Sequence, residues 1–201
     1  MVCKDWNNVL TLLTQKIISR SRVPLSPSLF TRFNHVKQLD LSQVILDGEN
    51  FKMPSKSLKD LVKLSLGNPD DPHLISNQWF QEFVCTCPML ENVSLTSIPN
   101  LQDSGIEAMT RACNRLSAIR LVDCRNLSDD ALKSLKNCEN ITELDLKGHF
   151  RFTPFGLTKI GENCPTLLKF SLELKPYVDI TLAIQSLAIH CRNLEELSLK
   201  G

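Results

Sequence analysis

The chain has 201 residues, of which 42% are hydrophobic and 22% charged, a composition typical of a folded globular protein and not of a disordered one. Lys and Arg number 23 against 22 Asp and Glu, so the charge balance favours neither nucleic acid nor anionic lipid as a partner. The sequence has no apolar run of the roughly 18 residues that a membrane span needs, and no signal peptide is recognisable at the N-terminus. These observations favour a cytoplasmic or nuclear protein.

Residues 1–29 are predicted to form a helical cap at the start of the chain. Their apolar residues recur at near-helical spacing, which would give an amphipathic helix with one face available for packing. Such a face would cover the open end of a stacked array of repeats. The residues concerned are Val2, Trp6, Val9, Leu10, Leu13 and Ile17.

A repeat begins at Val36. The motif L-x-x-L-x-L, with Ile, Val or Phe allowed in place of Leu, occurs seven times at intervals of 25 to 29 residues. This period matches the leucine-rich repeat, whose units span about 20–29 residues. The first apolar positions of the seven units are Val36, Leu61, Leu90, Leu116, Ile141, Leu167 and Leu194.

Each unit changes its hydrophobic period once. The last two apolar positions of the motif lie two residues apart, as a strand with one buried face requires. About ten residues later the spacing becomes helical, and Asp103 and Asp129 stand where carboxylates can accept amide hydrogens at a helix start. The helical sets are Ile106, Met109 and Cys113, then Leu132 and Leu135, then Leu157 and Ile160, then Ile184, Leu187 and Cys191.

One-sided strands and helices cannot fold alone, but stacking buries them in one continuous core. The sequence therefore predicts an α/β fold over residues 30–201. This fold is a leucine-rich-repeat solenoid of about seven repeats, with a curved parallel β-sheet and helices on its convex side. The last strand carries Leu197 and Leu199 with no further unit after it, so we expect that end to be uncovered.

Most of the eight cysteines lie within the repeats. Five of them lie three residues before the first apolar position of the next unit, where a small apolar thiol fits a tight corner. The paired C-x-x-C spacing of a zinc site is absent, so reduced, structural cysteines are predicted, with no metal and no cofactor. The five are Cys87, Cys113, Cys138, Cys164 and Cys191.

The segment from Cys113 to Cys138 reads C-x-x-L-x-x-I-x-L-x-x-C-x-x-L-S-D-x-A-L-x-x-L-x-x-C. It resembles the cysteine-containing leucine-rich repeats best known from F-box proteins, and residues 103–106 and 153–157 are weaker versions of it. The resemblance covers about residues 30–201. The first two units depart from it, because they lack the corner cysteine, and residues 67–78 hold an irregular insert.

Residues 2–6 read V-C-K-x-W, which is similar to the final helix of an F-box. The resemblance implies the substrate-recognition part of an SCF-type ubiquitin ligase, which holds proteins destined for degradation. In that family the F-box docks a Skp adaptor and a cullin. The F-box helices that grip the adaptor would lie upstream of Met1, so we expect these two partners only where such helices are supplied.

Strand alternation predicts which side chains face the concave side of the sheet. They are polar and of both charges, which suits a protein or peptide ligand better than a polyanion. The predicted protein-binding residues are Asp40, Lys63, Ser65, Asn92, Ser94, Arg120, Glu143, Asp145, Lys169, Ser171, Glu196 and Ser198.

No catalytic motif is present: the sequence has no G-x-S-x-G, no phosphate-binding glycine loop and no H-E-x-x-H. His190 and Cys191 are adjacent, and adjacent residues on a helix point in different directions. We therefore expect a non-catalytic binding protein. Two alternatives to the ligase role stay open: a stand-alone repeat scaffold or inhibitor, and a truncated F-box product that binds substrate without recruiting the ligase.

Overall fold

A computed structural model describes residues 16–18, 35–42, 58–67, 75–148, 151–174 and 178–200. Within them, eight parallel strands form one sheet in chain order, from β1 to β8. Parallel neighbours in chain order require a crossover between each pair, and the helices supply most of these crossovers. The strands are β1 (Lys16–Ile18), β2 (Gln38–Leu41), β3 (Lys63–Leu66), β4 (Asn92–Thr96), β5 (Ala118–Val122), β6 (Glu143–Lys147), β7 (Lys169–Glu173) and β8 (Glu196–Lys200).

The described residues include five α-helices, which lie between the later strands. They are α1 (Asn77–Val84), α2 (Asp103–Ala112), α3 (Asp129–Ser134), α4 (Pro154–Asn163) and α5 (Thr181–His190). A short 3-10 helix, Leu135–Asn137, continues α3. None of the described helices is long and apolar enough to cross a membrane. The predicted leucine-rich-repeat solenoid is confirmed, with strands β2 to β8 at the seven predicted motifs.

The inward leucines form two continuous rows across the sheet. Leu144 on β6 lies in register with Ile119 on β5 and Phe170 on β7, and Leu146 lies beside Leu121 and Leu172. All six side chains are at most 3% exposed. Because each strand aligns with both neighbours without a shift, one hydrophobic core runs the length of the stack.

The corner cysteines are buried as predicted, and their thiols also join neighbouring repeats. Cys113 donates to the Cys87 carbonyl at 3.3 Å and Cys191 donates to the Cys164 carbonyl at 3.2 Å. Cys138 reaches the Thr110 carbonyl at 3.6 Å. A thiol thus fills the corner and satisfies a backbone carbonyl of the preceding unit, which an aliphatic side chain of the same size cannot do.

The sequence suggested that Asp103 and Asp129 cap their own helices, but in the structure they bond to the next helix. Each is the first residue of its helix, and its carboxylate accepts hydrogens from the N-cap residue that precedes the next helix. Asp103 accepts from the Ser128 amide at 2.8 Å and from the Ser128 hydroxyl at 2.6 Å. Asp129 accepts from the Thr153 amide at 2.9 Å and from the Thr153 hydroxyl at 2.5 Å. These bonds tie successive helices together.

The close approach of Asp129 to α4 depends on a glycine. A Cβ atom at Gly156 would collide with the Asp129 carboxylate. Gly156 also donates its amide to the Thr153 hydroxyl at 3.1 Å, which caps α4. Asp129, Thr153 and Gly156 are therefore linked to one another by hydrogen bonds and close contact.

The N-terminal end differs from the expectation at one point. The predicted helical cap includes Ile17, but this residue lies on β1, in register with Leu39 of the first inward row. A β-branched side chain that packs on the neighbouring strand favours this extended conformation. The rest of the predicted cap, including Val2 and Trp6, lies outside the described residues.

The same Leu→Ala substitution should lower the free energy of unfolding more on a central strand than on the end strand. Leu144 is 2% exposed and Leu199, on the end strand, is 39% exposed. We expect Leu144→Ala to lower the free energy of unfolding by about 2–5 kcal/mol, because it leaves a cavity in the centre of the core. Leu199→Ala should cost much less. Urea denaturation of both variants in dilute solution measures the difference, and a loss at Leu144 as small as that at Leu199 would show that the strand register is wrong.

Candidate functional site

The concave face is the surface of the sheet that carries the strand side chains pointing away from the core. These residues line a groove of about 520 Å³ that runs across β3 to β8. The strand backbone forms its floor, and the side chains of the concave face, most of them polar, form its walls. The groove includes eleven of the twelve predicted residues: Lys63, Ser65, Asn92, Ser94, Arg120, Glu143, Asp145, Lys169, Ser171, Glu196 and Ser198.

Asp40, the twelfth predicted residue, is not among the residues that line the groove. It lies on β2, where one carboxylate oxygen accepts from the Ser42 amide at 3.1 Å and from the Ser42 hydroxyl at 2.7 Å. This arrangement closes a local turn at the end of the strand. The structure therefore gives Asp40 a local partner in place of a position in the groove.

The centre of the groove is an aspartate held by two cations. Asp145 Oδ2 lies 3.3 Å from Arg120 Nε and 2.9 Å from Lys147 Nζ. The Asp145 side chain is 23% exposed, and its other oxygen, Oδ1, is buried without a hydrogen-bond partner among the described residues. Two cations on one carboxylate leave this point with an excess of positive charge.

Lys147 is a groove residue that the predicted set omits. It is the last residue of β6. The residue beside it on β5 is Val122, so the concave side chains at this level of the sheet are not all polar. The strand alternation is the signal that identifies it, because Lys147 follows Glu143 and Asp145 at intervals of two on the same face. The pairing with Asp145 is visible only in the structure.

The two ends of the groove differ in charge. Residues contributed by β3 to β5 are basic or neutral: Lys63 and Arg120 stand among Ser65, Asn92 and Ser94. The other end alternates in sign, and Lys169 Nζ lies 3.4 Å from Glu143 Oε1 across β6 and β7. A matching ligand would carry acidic groups at the first end and both signs of charge at the second.

Chemistry based on thiols finds no support in the geometry. Burial raises the pKa of the Cys87, Cys113, Cys124 and Cys164 thiols to about 12 and that of Cys138 to about 11. These thiols therefore stay protonated and unreactive at neutral pH. All seven cysteines in the described part of the chain are free, and the described residues contain no cluster that would hold a metal ion.

His190 and Cys191 do not face each other as a catalytic pair. The His190 ring contacts the Ser186 carbonyl oxygen at 2.8 Å through Nδ1. The Cys191 thiol points the other way, toward the Cys164 carbonyl. Each group has its own structural partner, so this pair of residues provides no nucleophile with an adjacent base.

No family model matches the sequence. The fold is similar to a chain in the crystal structure of the Rad7 and Elc1 complex in yeast, with a TM-score of 0.60 and 21% sequence identity. That match covers 71% of this chain and 36% of the other, so this chain spans little more than a third of its neighbour. Actin-binding site 2 of leiomodin-1 matches with a TM-score of 0.51 and 14% identity, over 67% of this chain and 81% of that one. At these identities the likeness concerns the fold alone.

The buried thiols predict a distinct labelling pattern. Six described cysteines are buried and Cys85 is exposed. In the native protein near pH 8, an alkylating reagent should modify Cys85 quickly and the buried six far more slowly, whereas the denatured chain should yield eight free thiols. Mass spectrometry of the labelled peptides measures both. A disulfide, or a buried thiol as reactive as Cys85, would contradict the structural role.

Proposed function

We propose that this protein is a non-catalytic binding module that holds a protein or peptide ligand in the groove of its concave face. The observation that carries the proposal is the groove itself, which is lined by twelve polar residues from six adjacent strands. A parallel sheet gives these side chains fixed spacing, and so a ligand meets a surface that needs little ordering.

The charge pattern supports a protein ligand over a polyanion. Arg120, Lys147 and Lys169 all lie in the groove, but each has a carboxylate neighbour. A nucleic-acid surface would instead present unpaired basic residues along a stripe. Alternating charges favour a partner whose own side chains alternate, and like charges placed opposite one another would reject other partners.

The finer proposal is a place in ubiquitin-dependent protein degradation, as the substrate-recognition part of an SCF-type ligase in the cytoplasm or nucleus. It rests on the cysteine-corner repeats and on the V-C-K-x-W string at residues 2–6, which lies outside the described residues. The Rad7 neighbour was solved in complex with Elc1, and a Skp adaptor and a cullin would be the corresponding partners here where the missing F-box helices are supplied. A stand-alone scaffold or inhibitor uses the same groove without them.

One affinity-purification experiment separates these roles. Lys63→Gln with Arg120→Gln removes two groove charges without creating a repulsive pair, and Arg115→Gln with Lys136→Gln removes two exposed charges outside the groove. We expect the groove variant to recover roughly tenfold less ligand than wild type, a loss of about 1.4 kcal/mol. The control variant should recover the wild-type amount.

The same purification reports on the ligase role. When F-box helices are supplied upstream of Met1, Skp adaptor and cullin should copurify equally with wild type and with both variants, since neither variant touches residues 1–29. Their absence from every such sample would contradict the ligase role and leave the stand-alone scaffold. Equal ligand recovery by the groove variant would contradict the groove as the binding surface. Thermal melting of the three proteins should agree closely, because exposed charges contribute little to stability.

A further inference from the structure

The end of the stack at β8 is an exposed apolar surface. Leu197 and Leu199 occupy the two inward rows, yet they are 43% and 39% exposed, whereas Phe170 and Leu172, their neighbours on β7, are 2% and 3% exposed. The helix α5 beside this end is apolar on nearly every side. The sequence suggested that Ile184 faces the core, but Ala183 and Leu187 do, and Ile184 is 37% exposed.

The backbone of β8 has one edge available. The Glu196 amide donates to Leu168 at 3.0 Å, and the Lys200 carbonyl accepts from Leu174 at 3.0 Å. Glu196, Ser198 and Lys200 therefore direct their backbone groups toward β7. By alternation, Leu197 and Leu199 direct their N–H and C=O groups toward the outer edge, where a further strand would pair.

We propose that a second copy of this chain covers this end, through antiparallel pairing of the two β8 strands about a two-fold axis at Ser198. A two-fold axis brings the same surface of each copy together. In this register Leu197 lies opposite Leu199 of the second copy, and the two exchange both backbone hydrogen bonds as a narrow pair. Ser198 lies opposite its own equivalent in the non-hydrogen-bonded position, where its small side chain fits.

The charges of β8 select this register. Glu196 lies opposite Lys200 of the second copy, and Lys200 lies opposite the second Glu196, so the interface gains two ion pairs on the concave side. An axis at Leu197 would set Glu196 against Ser198, and an axis at Leu199 would set Ser198 against Lys200; both lose the ion pairs. The strand E-L-S-L-K is thus complementary to its own reverse.

The apolar side chains agree with the same arrangement. Leu197 and Leu199 of both copies would meet on the inward side of the joined sheet, continuing the two core rows. On α5, the Ser186 hydroxyl bonds to Thr158 of α4, and Ile184, two residues away and 37% exposed, lies on the opposite side of the helix. Its burial would add to the association. The two grooves would then join into one, with Glu196 and Ser198 near its centre.

A charge-exchange experiment tests the proposal. Wild type should form a dimer whose fraction rises with concentration in sedimentation velocity. Glu196→Lys and Lys200→Glu should each raise the dissociation constant by at least about tenfold, because each places like charges opposite one another. An equimolar mixture of the two variants should recover dimers, because the first chain offers two lysines to the two glutamates of the second.

The matched control is Glu139→Lys, an exposed site outside β8 with the same change of charge, and it should dimerise as wild type does. Circular dichroism should show that every variant is folded. A monomeric wild type at all concentrations would overturn the proposal and leave the end to a further repeat of a longer chain or to another protein. A mixture of the two variants that stays monomeric, or single variants that dimerise like wild type, would equally overturn the register.

Discussion

The structure depends on one constraint: no repeat can bury its own apolar face. A strand such as β6 offers Leu144 and Leu146 to the inside, and these side chains lose contact with water only when neighbouring strands stand in register on both sides. The other inter-repeat contacts follow from that stacking. The corner thiols bond to carbonyls of the preceding unit, and the carboxylates of Asp103 and Asp129 bond to the start of the next helix.

The same constraint leaves the concave face free to carry function. The side chains there take no part in the core, so their identities can vary while the backbone keeps its spacing. Asp145 shows the result: the sheet places it between Arg120 and Lys147 and leaves one of its oxygens buried without a hydrogen-bond partner among the described residues.

Much of this architecture was predictable, because the apolar positions of the L-x-x-L-x-L motif include the residues that form the inward rows. Strands β2 to β8, the buried corner cysteines and eleven groove residues follow from it. The three-residue strand β1 was missed, since Lys16–Ile18 is too short to show alternation. The roles of Asp103 and Asp129 were also missed, because their partners lie about 25 residues away in the sequence and local helix rules look only at near neighbours. Ile184 was placed on the wrong face of α5, because apolar residues surround most of that helix and its sequence does not indicate which face is buried.

Hydrogen exchange of the strand amides tests the central claim most directly. If stability comes from stacking, the amides of β5, β6 and β7 should exchange slowest, because each of these strands has neighbours on both sides and a buried inward row. Protection should fall toward β8 at protein concentrations low enough for a monomer. A β8 that is protected more strongly than β6 under those conditions, or central strands that exchange as fast as the connecting loops, would contradict the account.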